Sequence, residues 1–212
     1  DRQADEMALL AWRMCVLRQA RAVNAVREYK HGTITPAWMR ELAKLSTFDE
    51  GPKLAREYLA RHGITLVIEK HFKRTFLDGA AMLDNDRPIV ALTLRHDRFD
   101  NFWFALLHEL AHVAKHLTAE APVFIDDLDR SNPQKVEAEA DAMAGEALIP
   151  EKSWRTAKVR TTLLSEDAIA FADEIGVHPA IVAGRLRHEE KNFRLLSHLI
   201  GKTGQVSQLL HQ

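Results

Sequence analysis

From Met7 to about Arg61 apolar residues such as Leu10, Met14 and Leu17 recur every three or four positions, the spacing of an amphipathic helix. Turn signals at His31-Gly32 and Thr35-Pro36 divide this stretch, so residues 1–61 read as a helical preface. The period then changes. Ile64 to Glu69, Thr75 to Leu83 and Pro88 to Leu94 are short runs rich in apolar residues, separated by charged or Asp/Asn-containing turns, and predict a small, mostly antiparallel sheet. Helical spacing returns from Asp100 to Leu117 along Trp103, Leu106, Leu110 and Leu117, with Asp97 or Asp100 available as the cap. A polar loop carrying Asp126, Asp127, Asp129 and Asn132-Pro133 leads to a helix over Gln134 to Leu148, stopped by Pro150. Further helices are expected at Ser165 to Ile175, Pro179 to Glu189 and Phe193 to Ile200. The pattern predicts an α+β fold: a small sheet packed on the helix over Asp100 to Leu117, with a helical N-terminal preface (1–61) and a domain over 62–212 that ends in helices.

The chain has 212 residues, 46% of them hydrophobic, enough to bury a sizeable core. Lys and Arg number 29 against 30 for Asp and Glu, so no global basic field draws it to nucleic acid. Cys15 is the single cysteine and cannot form an internal disulfide; on its apolar stripe it reads as a small core residue. No long apolar stretch suggests membrane insertion or export, and the cytoplasm is the expected location. The chain starts at Asp1, which reads as an excerpt or a processed product.

The chemistry concentrates in His108-Glu109-Leu110-Ala111-His112. Histidines four apart on a helix lie about 40° apart around the axis and roughly 6 Å along it, which lets both imidazoles reach one tetrahedral zinc ion. With Leu110 at the centre of the buried stripe, both face the other way and need a second partner. Glu109 stands beside them without being forced to ligate, the position of a base that takes a proton from an attacking water. Lys115 and Thr118 stand where the metzincin pattern needs Gly and His. His116 extends the ladder but lies roughly 12 Å along the axis from His108, too far to share its metal. The third ligand is expected on the following helix, at Glu137, with Glu139 and Glu146 as alternatives; Asp141 suits a carboxylate that holds His108 through its other ring nitrogen. Ala138, Ala140, Ala142 and Ala144 would let the two helices approach closely.

These residues resemble the ImmA/IrrE family of metallopeptidases, gluzincin-like enzymes in which His-Glu-x-x-His is followed by an acidic helix of the form Glu-x-Glu-Ala-Asn/Asp, here Glu137 to Pro150. The likeness extends to Phe76-Leu77-Asp78-Gly79-Ala80-Ala81, Leu92-Thr93-Leu94-Arg95 and Asp100-Asn101-Phe102-Trp103-Phe104, and covers about residues 10 to 200. It points to the branch fused to an upstream helix-turn-helix of the HigA-antitoxin or Xre-repressor type, a domain outside this segment. It implies zinc (Zn2+) as cofactor, and as partner a protein substrate related to DNA-binding repressors or antitoxin-type regulators. The alternative is a zinc-binding regulator without proteolysis. Asp141 and Met143 stand where the family more often has Asn and Phe.

No residue stands out as an oxyanion donor: Tyr29 and Tyr58 fall in the preface, leaving His178 and Arg185 as candidates by position. Ala172, Gly176, Val177 and Val182 also match helix-turn-helix spacing, with Arg185, Arg187 and His188 on the second helix, yet Glu189 and Glu190 would repel phosphate and argue against DNA binding by this segment. A peptide substrate is expected to add alongside an exposed strand, Pro88 to Leu94.

Overall fold

In the computed structural model, which describes residues 4–23, 27–118, 120–124 and 133–210, the preface folds as three helices. Helix α1 (Glu6–Ala22) is capped by Asp5, whose carboxylate accepts from the Ala8 N–H, and α2 (Pro36–Lys44) by Thr35 with Pro36 at the first helical position. A short 3-10 turn then leads into α3 (Gly51–Arg61). The phase of α1 differs from the expected stripe. Its buried face is Leu9, Trp12, Val16 and Ala20, while Leu10 and Met14 are 50% and 57% exposed and Cys15 is half-buried at the margin. The indole decides this: Trp12 is fully buried, and its Nε1 donates to the Glu69 carbonyl at 3.2 Å.

Four strands follow in the spatial order β1-β3-β2-β4: β1 (Thr65–Ile68), β2 (Gly79–Asp84), β3 (Arg87–Leu92) and β4 (Val123–Phe124). β2 and β3 form a hairpin in which Asp84 pairs with Arg87, and Asn85 takes the left-handed conformation that so tight a turn requires. β2 also pairs antiparallel with β4, whereas β1 pairs parallel with β3, so the sheet is mixed with antiparallel pairing prevailing. β3 is therefore bonded along both edges, which overturns Pro88 to Leu94 as a docking edge for peptide. Its unbroken apolar run Ile89-Val90-Ala91-Leu92 is the signature of a strand covered on both faces. The strand expected from Thr75 starts only at Gly79, because Thr75 closes a turn onto the Phe72 carbonyl and Phe76 is left-handed.

The pleat sorts this sheet between two cores. Val67, Ala80, Met82, Ile89 and Ala91 pack with α1, and Leu66, Ala81, Val90 and Leu92 face the larger core around α4 (Phe99–Lys115). That helix is buried over most of its length, and the expected aspartate cap is absent. Arg98 is the cap residue, and its side chain makes no bond to the free N–H groups of the first turn. Asp97 instead accepts from the backbones of Val206 and Ser207 at the start of α10 (Gln205–Leu210), and Asp100 is gripped by Arg98. The Asp126, Asp127 and Asp129 stretch, with Asn132, lies outside the described residues. After it, α5 (Pro133–Leu148) packs its buried Ala140 and Ala144 onto the core.

Short helices α6 (Glu151–Thr156) and α7 (Val159–Thr162) lead to α8 (Ser165–Ile175) and α9 (Pro179–Glu189), which have the expected bounds because left-handed Gly176 and Pro179 punctuate them. The helix expected over Phe193 to Ile200 is only a 3-10 turn at Ser197–Leu199, since Lys191 and Leu196 are left-handed and interrupt the helical path. Among the described residues no helix is long and apolar enough to cross a membrane.

Candidate metal centre

Where α4 crosses α5, one ligand atom from each of His108, His112 and Glu137 lies within 4.8 Å of the others, the one such cluster among the described residues. The spacing of four on α4 brings the His108 and His112 Nε2 atoms to 2.9 Å. Across the helix interface, Glu137 sets its carboxylate oxygens 3.1 Å from His108 Nε2 and 3.7 Å from His112 Nε2. Asp141, one turn further along α5, sits 2.9 Å from His108 Nδ1. Glu139 and Glu146 point elsewhere: Glu139 reaches His116 at 3.3 Å, and Glu146 accepts from the Glu151 backbone N–H.

The electrostatics favour a cation at this point. Donation of the His108 Nδ1–H to the Asp141 carboxylate leaves the lone pair of a neutral ring on Nε2, aimed at the cluster. Burial pushes the Glu137 carboxyl up, but the His108 and His112 imidazoles outweigh it and hold it down at about 2, so it is ionised at neutral pH. Burial also keeps His112 below the ordinary histidine value and hence neutral. In the metal-free chain a ring N–H turned to the carboxylate relieves the site; with the lone pairs of both Nε2 atoms facing Glu137, the three groups repel one another unless a cation lies between them. Among the described residues Glu137 Oε1 is buried with no atom in hydrogen-bond range, His112 Nε2 being the 3.7 Å neighbour, and it marks the same point. Two imidazoles and one carboxylate are a donor set that fits zinc and leaves a fourth position open.

Glu109 lies on the turn between the two histidines and is 2% exposed. It faces the sheet: a Cβ built on Gly79 would fall 2.6 Å from Glu109 Oε1, so the side chain occupies room that only a glycine at the head of β2 leaves. Next to the cluster, a cavity of about 680 Å³ runs between α4, α5 and α9, lined by Phe104, Asp141, Gly145, Ile149 and Arg185 among others. Phe104 links the cavity to the cluster: its ring centroid stands 6.0 Å from that of His108.

The two candidate oxyanion donors have other engagements. His178 caps α9 by accepting from the Ala180 N–H, and its ring lies 4.6 Å from Phe99. Arg185 bonds Glu151, Glu189 and the Ile149 carbonyl and lies over the Trp154 ring. Tyr58 packs between Trp38 and His62. The α8–α9 pair does make a tight helical hairpin, but α9 buries Ala180, Ile181, Val182, Ala183 and Leu186, and Arg187 is turned back onto Phe193. Two residues escaped the reading of the sequence. Gly79 matters only through a contact 30 residues away in the chain, which no local pattern announces. His116 lies too far from His108 to share its metal, and its place on the face of His112 is the one clue in the chain to another role.

The family model of the IrrE N-terminal-like domain, Peptidase_M78, matches residues 60–187. No curated protein gives a significant match. The matched span runs from the last turn of α3 to the last turn of α9 and takes in the sheet and every residue of the cluster. More than half of the chain fits the model, and the chain therefore belongs to the Peptidase_M78 family of IrrE N-terminal-like domains, a family of metallopeptidases.

Proposed function

We propose that the chain is a zinc-dependent endopeptidase of the cytoplasm that cleaves a protein substrate, a DNA-binding repressor or antitoxin-type regulator. The observation that carries this reading is the convergence of His108, His112 and Glu137, with the buried Glu109 on the turn between the two histidines. Zinc held by those three residues would supply a Lewis acid, bringing the pKa of a water near 7 and polarising a carbonyl. Glu109 then takes a proton from the attacking water on its carboxylate and passes it to the leaving amine. The Gly79 contact limits where that carboxylate can go, and its burial keeps bulk water away. Asp141 holds the His108 ring in the tautomer that presents Nε2. The neighbouring cavity, lined in part by Phe104, has room for substrate side chains beside the scissile bond. The kind of substrate is drawn from the family resemblance.

The engagement of His178 and Arg185 elsewhere favours a second reading, a zinc-binding regulator that does not cleave. One experiment separates the two. The purified chain is loaded with zinc and incubated with the repressor encoded beside it, with and without chelator, alongside Glu109→Gln. Cleavage that chelator and Glu109→Gln both abolish supports the peptidase; a zinc-loaded chain that leaves the repressor intact supports the regulator. Cleavage by Glu109→Gln at the original rate would overturn the mechanism.

A further inference from the structure

His116 caps the C-terminus of α4, one turn beyond His112, with its side chain only 8% exposed. Its Nδ1 lies 2.9 Å from His112 Nδ1, and its Nε2 lies 3.3 Å from Glu139 Oε2 on α5. The two Nδ1 atoms lie on the side of His112 away from the ligand atoms, where no cation would separate them, so their contact requires one N–H and one lone pair. A carboxylate only accepts, so the N–H of His116 belongs on Nε2, facing Glu139. A neutral His116 then has its lone pair on Nδ1 and accepts from the His112 Nδ1–H. His112 in turn keeps its lone pair on Nε2, the atom facing His108 and Glu137. The opposite direction of donation would place the His112 proton on Nε2, against the cluster, where it would block a cation.

We propose that Glu139 and His116 form a positioning arm that fixes the tautomer and ring orientation of His112, the counterpart of what Asp141 does for His108. Metal-bound histidines as a rule donate their second ring nitrogen to an acceptor, and the acceptor here is another imidazole backed by a carboxylate. α5 thereby addresses the two histidines of α4 and the one that caps it: Asp141 meets His108, Glu137 faces both His108 and His112, and Glu139 meets His116. The inference rests on the metal reading above but not on peptide cleavage.

The test is zinc affinity, measured on the whole purified chain by competition with a chromophoric chelator, together with the visible spectrum of the cobalt-substituted protein. His116→Phe keeps the ring and removes both nitrogens. We expect it to lower zinc affinity by about 10- to 100-fold, to alter the cobalt spectrum and to leave the thermal midpoint of the metal-free chain in place. His116→Gln, which retains an amide acceptor, should recover part of the loss. Glu139→Ala should weaken zinc less than His116→Phe does. The double variant should be no weaker than His116→Phe alone, because the two residues act in series. Equal zinc affinity in wild type and His116→Phe would overturn the arm, as would losses that add in the double variant. Loss of binding on His116→Phe but not on Glu137→Gln would make His116 a ligand and also overturn it. A wild-type chain that takes up no zinc would sink the metal reading itself, a result distinct from all of these.

Discussion

Gly79 and Glu109 share one small volume: a methyl group on residue 79 would stand 2.6 Å from Glu109 Oε1 and 2.9 Å from its Cγ. Both distances are shorter than carbon atoms in contact tolerate, so Gly79→Ala must displace the carboxylate. Errors of about 1 Å in a catalytic group can cost on the order of 100-fold in rate. Gly79→Ala is expected to retain zinc and lose turnover on that scale. Zinc content and kcat measured on one preparation check this, and unchanged kcat would show that Glu109 is not held where the glycine leaves room.

Asp141 orients His108 through a 2.9 Å contact. Its removal in Asp141→Ala should weaken zinc by about 10- to 100-fold, while the apo protein, from which a partly exposed carboxylate is lost, should melt much as before. A chelator competition titration measures the first effect and thermal unfolding the second.

Arg40 ties the preface to α5. Its guanidinium donates to the Ala147 and Leu148 carbonyls at the end of α5, at 3.0 and 2.9 Å, and also to the Ile175 carbonyl at the end of α8. Final-turn carbonyls have no partner within their own helix. Arg40→Met should therefore cost about 1–3 kcal/mol of stability, read from the urea midpoint at constant slope. A change under about 0.5 kcal/mol would mean that water replaces the guanidinium without loss.

Protons should destabilise the metal-free chain. Burial holds His112 and His178 below the ordinary histidine value of 6.5, so an unfolded chain takes up protons at these rings before the folded one does. Glu137 acts in the same direction at lower pH: its folded-state carboxyl, at about 2 against an ordinary 4.5, stabilises the fold above 4.5 and loses that contribution as pH falls toward 2. In each case the unfolded state binds more protons, so stability falls with pH. The melting temperature of the apo chain should drop as pH is lowered through 6.5 and again below 4.5. His178→Asn, which keeps a capping side chain, should flatten the first drop. A melting temperature constant from pH 6.5 to 4.5 would contradict this.

What could be read from the sequence was what local spacing controls. His108 and His112 converge because four residues make just over one helical turn, and α8 and α9 have their expected bounds because Gly176 and Pro179 mark them in the chain itself. Glu137 and Asp141 were reachable because one turn of α5 carries both to the same side. The failures were non-local. In α1, Leu9 and Leu10 offer two apolar phases, and the bond of Trp12 to Glu69, 57 residues away, selects between them. The central place of β3 depends on its parallel partner β1, a pairing no turn announces. Asp97 looked like a cap for its own helix and serves α10 instead, more than 100 residues later.

The ligand atoms are divided between α4 and α5, and the chain between those helices is long. An ion gripped from both sides would act as a removable cross-link, so that lifting α5 from α4 and releasing the ion become one equilibrium. Backbone amides of α5 would then exchange with solvent at rates set by free zinc concentration, while those of β2 and β3, bonded to each other without any help from the centre, would not. Metal supply would thus govern how long the protein survives in a proteolytic environment as well as whether it can act.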